Sequence, residues 1–371
     1  MTVESIAYIW VGALSIQILF SLLFSRLALA SRKGKDGSSH QHMPPVSIIV
    51  CGRNEEVNFA RNLPLLLNQK YPEFEVVAVN DQSRDDSEEV LDKISKTTSR
   101  LRVVNVPEND QFWKGKKFGL TLGIKAAKYP NLLFIDADCQ PRGEHWIQKM
   151  ATSFTQKEVV LGYGGYKTQP TLLNALIQWE TTQTAVHYLS AALWGMPYMG
   201  VGRNMGYTSE LFFKHKGFVR HMHIPSGDDD LFIQSAATKE NVTVVLDRDS
   251  HTLSDPKESF ADWFQQKRRH YSTSSEYKFI HRLWLGLYFS TLILSYVGWI
   301  PALFLEGYLA PWILTIALSR WGIAWIVYAI LNYQLSRSKA LYLFPVIEAL
   351  SLGATSAQQL LNLSFGKPQR W

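Results

Sequence analysis

The chain has 371 residues, a formal net charge of +6 and two cysteines. This length suits one large domain with accessory segments, and the small net charge, clustered beside apolar runs, gives no reason to expect a nucleic-acid partner. Cys51 and Cys139 are too few for a disulfide framework and favour a reducing compartment.

The N-terminal segment predicts a membrane helix. Residues 6–30 are mostly apolar and about long enough to cross a bilayer. They lack the basic start and the small-residue cleavage site of a signal peptide, so we expect an uncleaved helix in a first segment of residues 1–30. Arg32, Lys33 and Lys35 follow in a basic linker of residues 31–45, and they place the next domain on the cytoplasmic side.

Residues 46–256 predict one α/β domain. Short β-rich runs alternate with helical patterns, which indicates a mostly parallel sheet flanked by helices. The predicted strands are Val46–Gly52, Glu75–Asp81, Leu101–Val106 and Leu132–Asp138, and the predicted helices are Val57–Gln69, Glu88–Lys96 and Phe118–Lys128.

Polar residues follow these strands at the edge of the sheet where ligands of such folds bind. Glu55 follows the first strand, Asp81 ends the second, and Asp136 and Asp138 end the fourth. Two carboxylates at this spacing offer the oxygen ligands that Mg²⁺ and Mn²⁺ share with substrate phosphates. The alternative for Asp136 and Asp138 is a pair of capping residues in a loop.

Charged groups also precede two helical patterns. Lys116 precedes one of them, where a cation can meet phosphate, although solvation at the surface is the simpler role. Asp228, Asp229 and Asp230 precede the other. Adjacent carboxylates raise one another's proton affinity, which suits a general base. Helix capping by these acids is the alternative.

Two segments are candidates for contact with a membrane surface. Leu172–Met196 has the pattern of an amphipathic helix at the interface, and the alternative is an ordinary helix against the sheet. Residues 257–282 combine aromatic residues with a basic stretch around Gln266 and Arg269. That stretch is either a positive-inside anchor or a gate over a nucleotide diphosphate.

The C-terminal residues 283–371 predict two or three membrane helices. Leu283–Leu305 and Ala310–Leu331 are apolar, rich in aromatic residues and separated by a short connection, so we expect a helical hairpin. Leu341–Leu363 contains Glu348 and is either a third span or a helix that lies partly in the interface.

Together these motifs resemble the membrane-bound family-2 glycosyltransferases, the group that includes ceramide glucosyltransferase and the cellulose and hyaluronan synthases. The resemblance extends from about Val46 to Tyr271, in the order and spacing of the family. The matching residues are Val46–Val50, Arg53–Glu56, Asn80–Ser83, Gly115 with Lys116, Asp136–Asp138, Gly202–Met205, Asp228 with Asp229, and Gln266 with Arg269.

The resemblance implies a GT-A fold with transmembrane helices at both ends. It implies an inverting hexosyltransferase of the inner or plasma membrane, with a cytoplasmic catalytic domain and Mg²⁺ or Mn²⁺ as cofactor. A nucleotide sugar, with a UDP-sugar favoured, is the expected donor. A lipid or lipid-linked molecule is the expected acceptor.

The resemblance also implies a role for each matching residue. Glu55 and Asp81 contact the nucleoside and Lys116 contacts the diphosphate, whereas Asp136 and Asp138 contact the sugar phosphate and the metal. The other implied roles are a general base at Asp229 beside Asp228, a gate over the donor at Gln266 and Arg269, and an acceptor region at Gly202, Arg203, Asn204 and His270.

Two departures from the family pattern bear on the acceptor. His270 stands where the family has Trp, and Asp228 stands where it has Glu. The missing Trp and the small number of C-terminal spans favour transfer of a single sugar to a lipid over a processive polysaccharide synthase. A third hypothesis is an inactive nucleotide-binding membrane scaffold, and the intact acids at 136, 138 and 229 argue against it.

Overall fold

Two units with different secondary structure make up the chain in the computed structural model, which describes residues 3–33, 43–107, 115–224, 226–271, 273–302 and 309–365. The sheet unit is built chiefly from Gly34–Thr168 and Ala191–Glu276. The helical unit is built from Met1–Lys33, Gln169–Ser190 and Tyr277–Gly366.

The strands of the sheet unit are β1 Val46–Gly52, β2 Phe74–Asn80, β3 Leu101–Asn105, β4 Asn131–Phe134, β5 Cys139–Pro141, β6 Val159–Leu161, β7 Gly164–Tyr166, β8 Met205–Thr208, β9 Val242–Val244 and β10 Thr252–Ser254. Seven of them form a sheet in the order β3-β2-β1-β4-β8-β6-β9, and three form a second sheet in the order β5-β10-β7. The first four strands of the large sheet are parallel, β8 is antiparallel to β4 and β6, and β9 is parallel to β6.

Helices flank this sheet because its central strands are apolar on both faces. Every residue of β1 and β2 is buried, as expected for parallel strands covered on both sides. Alternate residues of β1, such as Ile48 and Val50, pack in one core with Phe59 and Trp146. The helices of the sheet unit are α2 Glu56–Leu67, α3 Ser87–Ser95, α4 Lys116–Ala126, α5 Trp146–Ala151, α7 Ser209–Lys214, α8 Asp230–Ala236 and α9 Phe260–Tyr271.

The predicted α/β sheet flanked by helices is confirmed, and β1 has the predicted bounds. The large sheet is mostly parallel, as predicted, except that β8 enters it in the antiparallel direction between β4 and β6. β4 ends at Phe134, so Asp136 and Asp138 lie in the turn beyond the strand rather than inside it. The sequence did not predict β5 to β10, since strands of three or four residues are too short to show a periodic pattern.

The helical unit contains α1 Val3–Lys33, most of α6 Leu172–Leu193, α10 Phe279–Val297, α11 Trp299–Ala302, α12 Leu309–Gln334 and α13 Phe344–Phe365. Among the described residues, two helices are long and apolar enough to cross a membrane. They are Ser5–Ala30, with a mean hydropathy of 2.0, and Pro311–Gln334, with 1.7. Buried core helices and signal sequences have similar length and composition. The predicted connection at 306–308 lies outside the described residues.

Helix α6 differs from its predicted environment. Its apolar residues Trp179 and Val186 and its polar residues Gln183 and His187 are all buried. The ring of Trp179 lies 5.0 Å from that of Tyr328, and the ring of His187 lies 4.2 Å from that of Tyr288. The helix is therefore enclosed within the helical unit, not laid on an interface with one polar face in water.

A buried ion pair links α12 to α13. Arg320 Nη1 donates to Glu348 Oε2 at 2.6 Å, and both side chains are almost fully enclosed. Tyr296 OH donates to the same carboxylate oxygen at 2.7 Å, and Arg320 Nη2 approaches Gln17 Oε1 at 3.4 Å. A buried charge pair of this kind stabilises its surroundings only while both partners are present.

We predict that Glu348→Gln lowers the free energy of unfolding by about 3–5 kcal/mol, because it leaves the Arg320 guanidinium buried without its counter-charge. The double variant Arg320→Met with Glu348→Met removes both charges and is expected to cost much less. Denaturation of the purified full chain in detergent measures both values. Equal losses in the single and the double variant would contradict this account of the pair.

Candidate active site

Lys116 is the centre of a charged cluster at the carboxyl edge of the parallel strands. Its Nζ lies 2.7 Å from Asp136 Oδ1 and 3.3 Å from Asp228 Oδ2. Burial lowers the pKa of Lys116, but the carboxylates of Asp136 and Asp228 outweigh this effect and hold the pKa well above its usual value. The start of α4, the turn after β4 and the approach to α8 therefore meet at one ammonium group.

The three consecutive acids 228–230 have different environments. Asp229 Oδ2 accepts from Gly202 N at 2.9 Å, and its Oδ1 accepts from Asp230 N at 2.8 Å. Asp230 is the first residue of α8, and its side chain accepts from Thr273 Oγ1 at 2.6 Å and from Leu231 N at 2.7 Å. Asp228 and Asp229 lie close to Lys116, and the Asp229 side chain also caps α8. The capping role and the position beside a charged cluster are therefore both present at Asp229.

Asp229 has the protonation behaviour of a group that can gain or lose a proton near neutrality. Burial, together with the negative charges of Asp228 and Asp230, raises the pKa of Asp229 to about 7. Lys116 and the Gly202 amide oppose this rise. An acid with such a pKa suits a general base that operates close to pH 7.

Gly202 allows the backbone to approach this cluster closely. A side chain here would place its Cβ 3.5 Å from Lys116 Nζ, 3.6 Å from Asp229 Oδ2 and 3.7 Å from Asp228 Oδ2. The glycine therefore leaves open the space in front of the three charged groups. The Gly202 amide also donates a hydrogen bond to Asp229, so this loop helps to hold the carboxylate in place.

Asp136, Asp138 and Cys139 have ligand atoms within 4.8 Å of one another. The Cys139 thiol donates to Asp138 Oδ1 at 3.2 Å and lies 2.8 Å from Ser254 Oγ. Burial raises the pKa of Cys139 well above its usual range, so the sulfur stays a neutral thiol. The two carboxylates are thus the charged donors of the group, and they fit a hard cation such as Mg²⁺ or Mn²⁺ that takes further oxygen ligands from elsewhere.

Glu55 and Asp81 lie in the neighbouring loops that follow β1 and β2. Burial raises the pKa of both carboxyls; Asn58 opposes it at Glu55, and Arg53 opposes it at Asp81. The loops are held together because Asn54 N donates to Ser83 Oγ at 2.9 Å and Asn54 Oδ1 accepts from Arg84 N at 2.8 Å. This edge of the sheet is therefore a preformed pair of acidic loops.

Tyr166, at the end of β7, connects two residues that the sequence singled out. Gln266 Nε2 donates to Tyr166 OH at 3.4 Å, and the Arg203 guanidinium lies 4.6 Å from the centre of the Tyr166 ring. No sequence pattern marks Tyr166, because a lone aromatic residue in a three-residue strand resembles any core residue. The backbone of Arg269 and His270 belongs to α9, and their side chains lie outside the described part of the structure.

Asn204 corrects one sequence expectation. It was expected in the acceptor region, but its side chain is fully buried. Its Nδ2 donates to Tyr163 O at 2.8 Å and Ser250 O at 2.7 Å, and its Oδ1 accepts from Trp146 Nε1 at 3.0 Å. Asn204 therefore joins three segments beneath Gly202 and Arg203 and does not face a substrate.

Comparison with known proteins agrees with this fold. Residues 47–216 match the family described as Glycosyl transferase family 2. The chain is 30% identical over 115 residues to a poly-beta-1,6-N-acetyl-D-glucosamine synthase of Staphylococcus epidermidis, covering 31% of this chain and 25% of that protein. It is 27% identical over 141 residues to a 4,4'-diaponeurosporenoate glycosyltransferase of Staphylococcus haemolyticus, covering 37% of this chain and 35% of that protein.

A solved structure is similar over nearly the whole chain. It is the mannosyltransferase PcManGT from Pyrobaculum calidifontis in complex with GDP-Man and Mn²⁺, with a TM-score of 0.57 and 18% identity over 97% of this chain and 99% of that chain. This likeness shows a GT-A-like fold. The aligned stretches span less than half the length of either staphylococcal relative. Residues 47–216 are thus similar to a glycosyl transferase family 2 domain, and the solved structure shows the same type of fold.

We predict that Asp229→Asn raises the free energy of unfolding more at pH 8 than at pH 4.5. Between roughly pH 4, where an unfolded Asp ionises, and pH 7, the unfolded carboxyl is charged while the folded one keeps its proton. Wild-type stability therefore falls as the pH rises through this window. Asn does not titrate and escapes this loss.

Thermal unfolding of the full chain at the two pH values measures the difference. The matched control is Asp92→Asn on the exposed face of α3, where the carboxylate forms a solvent-exposed ion pair with Lys96. A stability gain in Asp229→Asn that is the same at both pH values would contradict the assigned pKa.

Proposed function

We propose that the chain is a membrane-bound inverting glycosyltransferase that moves one hexosyl group from a nucleotide sugar to a hydroxyl of a lipid or lipid-linked acceptor. The observation that carries the proposal is the juxtaposition of Asp229, with a pKa of about 7, and the Lys116 cluster, where the ammonium pairs with Asp136 and Asp228. The similarity of residues 47–216 to family 2 supports the same reaction class.

The donor is held across the ends of the parallel strands. Glu55 and Asp81, in the paired loops after β1 and β2, contact the nucleoside, and Lys116 contacts the diphosphate. Asp136 and Asp138 would hold Mg²⁺ or Mn²⁺. Such an ion would supply positive charge that offsets the negative charge on a departing diphosphate. The GDP-Man and Mn²⁺ in the structure of PcManGT support this class of donor and cofactor.

Asp229 is the general base. Its carboxylate takes the proton of the acceptor hydroxyl as that oxygen bonds to the anomeric carbon, and the bond from this carbon to the diphosphate oxygen breaks. Attack from the side opposite the leaving group inverts the anomeric centre. Burial and the negative charge of Asp228 keep the pKa of Asp229 high. The Lys116 ammonium pairs both with Asp136, on the donor side, and with Asp228, next to the base.

The acceptor side comprises Gly202, Arg203, Gln266, Arg269 and His270. The side chains of Arg203 and Gln266 both contact Tyr166. These contacts support an acceptor-binding surface next to the space at Gly202. The apolar helices Ser5–Ala30 and Pro311–Gln334 support attachment to a membrane, which we assign to the plasma or inner membrane. The basic residues 32, 33 and 35 support a cytoplasmic sheet unit. The name of one relative, a 4,4'-diaponeurosporenoate glycosyltransferase, supports an acceptor other than a growing polysaccharide.

A processive polysaccharide synthase is the second candidate, because one relative is a poly-beta-1,6-N-acetyl-D-glucosamine synthase. His270 in place of the Trp of the family motif favours the single transfer. The length of the product distinguishes the two reactions directly.

The experiment incubates purified full-length protein with a panel of UDP- and GDP-sugars, Mg²⁺ or Mn²⁺ and a total lipid extract. We expect mass spectrometry to show a lipid heavier by one hexosyl group. Chelation should abolish the product, and Asp229→Asn should lower turnover by about 10²–10⁴-fold, the usual contribution of a general base. Asp92→Asn, on the exposed face of α3, is the matched control and should keep full activity.

Each result has a defined opposite. Unchanged turnover in Asp229→Asn removes Asp229 as the base, and unchanged turnover with chelator removes the metal. A product of many sugar units supports the synthase instead. If the wild-type protein turns over none of the nucleotide sugars, the proposed reaction class is wrong.

We also predict an acid limb in the pH profile of kcat/KM. Activity should fall about tenfold per pH unit below pH 7, because protonated Asp229 cannot accept the hydroxyl proton. Asp228→Asn removes a negative neighbour that raises this pKa, so the limb should move to lower pH. Steady-state kinetics from pH 5 to 9 test the shift, and an acid limb at the same pH in both proteins would contradict it.

A further inference from the structure

The segment between β8 and α8 leaves two large apolar side chains in solvent. Phe213 is 50% exposed and Val219 is 61% exposed, whereas their neighbours Phe212 and Phe218 are buried. The active site described above uses neither exposed residue. We call residues 213–223 the apolar–basic turn.

Buried aromatic rings anchor both ends of this exposed stretch. Phe212 packs against Phe218 with ring centres 5.0 Å apart, and both rings contact Phe232 of α8 at 5.5 and 5.9 Å. Phe213 and Val219 each follow one of these buried rings, so packing of the rings holds both residues at the surface.

The backbone reversal at the end of α7 is equally well defined. Lys216 has φ +61° and Gly217 has φ +53°. Lys216 N donates to Phe213 O at 2.9 Å and Gly217 N donates to Phe212 O at 2.8 Å, the two hydrogen bonds of a Schellman motif. A Cβ on Gly217 would lie 2.6 Å from the Phe212 ring, so this position requires glycine.

Basic residues lie close in sequence to the two exposed apolar residues. Lys214, Lys216 and Arg220 are all exposed. Over residues 209–223 the sequence has three Lys or Arg residues against one acid, Glu210. Apolar side chains near cations match a bilayer surface with anionic headgroups, where the apolar groups enter the interface and the cations meet lipid phosphate.

We propose that the apolar–basic turn docks the sheet unit on an anionic lipid surface. Phe213 and Val219 insert among the headgroups, and Lys214, Lys216 and Arg220 pair with lipid phosphates. This inference goes beyond the proposed reaction and depends on neither the donor nor the acceptor. A bilayer fits better than a nucleic acid, because aromatic stacking platforms for bases would require ring faces in a groove.

The turn is connected to the active site by one buried side chain. Lys117, the neighbour of Lys116, donates from Nζ to His221 O at 2.6 Å and to Ile224 O at 3.1 Å. Four residues after Ile224 the chain reaches Asp228. Docking therefore restrains the segment that leads to the proposed base and the start of the helix that carries Lys116.

The test uses the full chain with Val219→Cys, labelled with an environment-sensitive fluorophore. The native Cys51 and Cys139 are buried and unreactive by position. The labelled protein is reconstituted in bilayers of phosphatidylcholine alone or with phosphatidylglycerol, each with and without brominated lipid. We expect a blue shift and bromine quenching that increase with phosphatidylglycerol and decrease with added salt.

Charge variants define the cause of the quenching. Lys214→Gln, Lys216→Asn and Arg220→Gln together should shift the docked-to-free ratio by roughly a hundredfold and abolish most quenching. Asn is chosen at 216 because it tolerates a positive φ. The matched control removes three exposed cations elsewhere on the sheet unit, with Lys93→Gln, Lys96→Gln and Lys239→Gln, and should keep the quenching.

Both triple variants should unfold at the wild-type temperature in detergent and keep wild-type turnover there. Absence of quenching at label 219 in phosphatidylglycerol bilayers overturns the proposal, whatever the turnover. Equal loss of quenching in both triple variants also overturns it, because the effect would then be one of net charge. If RNA or an acidic protein shields the label at position 219 and lipid does not quench it, the surface binds that partner and the lipid proposal is wrong.

Discussion

The pairing of Lys116 with Asp136 and Asp228 is the interaction on which the site depends. Without a cation, the carboxylate after β4 and the one before α8 would repel one another at the same edge of the sheet. The ammonium lies 2.7 Å from one and 3.3 Å from the other, and its positive charge offsets this repulsion. At Asp229, one residue further along, burial and the neighbouring acids outweigh the effect of Lys116, so its pKa stays raised.

The two halves of the large sheet supply different parts of this cluster. The parallel half, β3 to β4, ends in the loops that carry Glu55, Asp81 and Asp136. The antiparallel half brings Gly202, just before β8, and the acids before α8 to the same place. Asn204 holds this second half in position through three buried hydrogen bonds. The charged cluster is thus assembled from segments that are far apart in the sequence.

The helical unit has its own constraint. Arg320 and Glu348 are enclosed together with Gln17 and Tyr296, so four helices are joined by one polar network. Helix α6 adds buried polar residues to the helical unit, although the segments before and after it in the sequence belong to the sheet unit. The sequence placed residues 172–196 inside a continuous domain of residues 46–256. The structure groups residues 169–190 with the terminal helices.

By itself the sequence determined the parallel half of the sheet, the helices beside it and the strand-end acids at 55, 81, 136 and 138. These elements are local, since a run of six or seven apolar residues followed by a polar turn has a periodicity that can be counted. It also marked Asp228 and Asp229, but left capping and catalysis open. Only the tertiary structure decided that Asp230 bonds to Thr273 and that Asp229 accepts a hydrogen bond from Gly202. It also decided that Asn204 is buried and that Tyr166 contacts both Arg203 and Gln266. Each of these outcomes depends on contacts between residues far apart in the chain, and no local pattern encodes which side chain meets which when short strands and loops pack together.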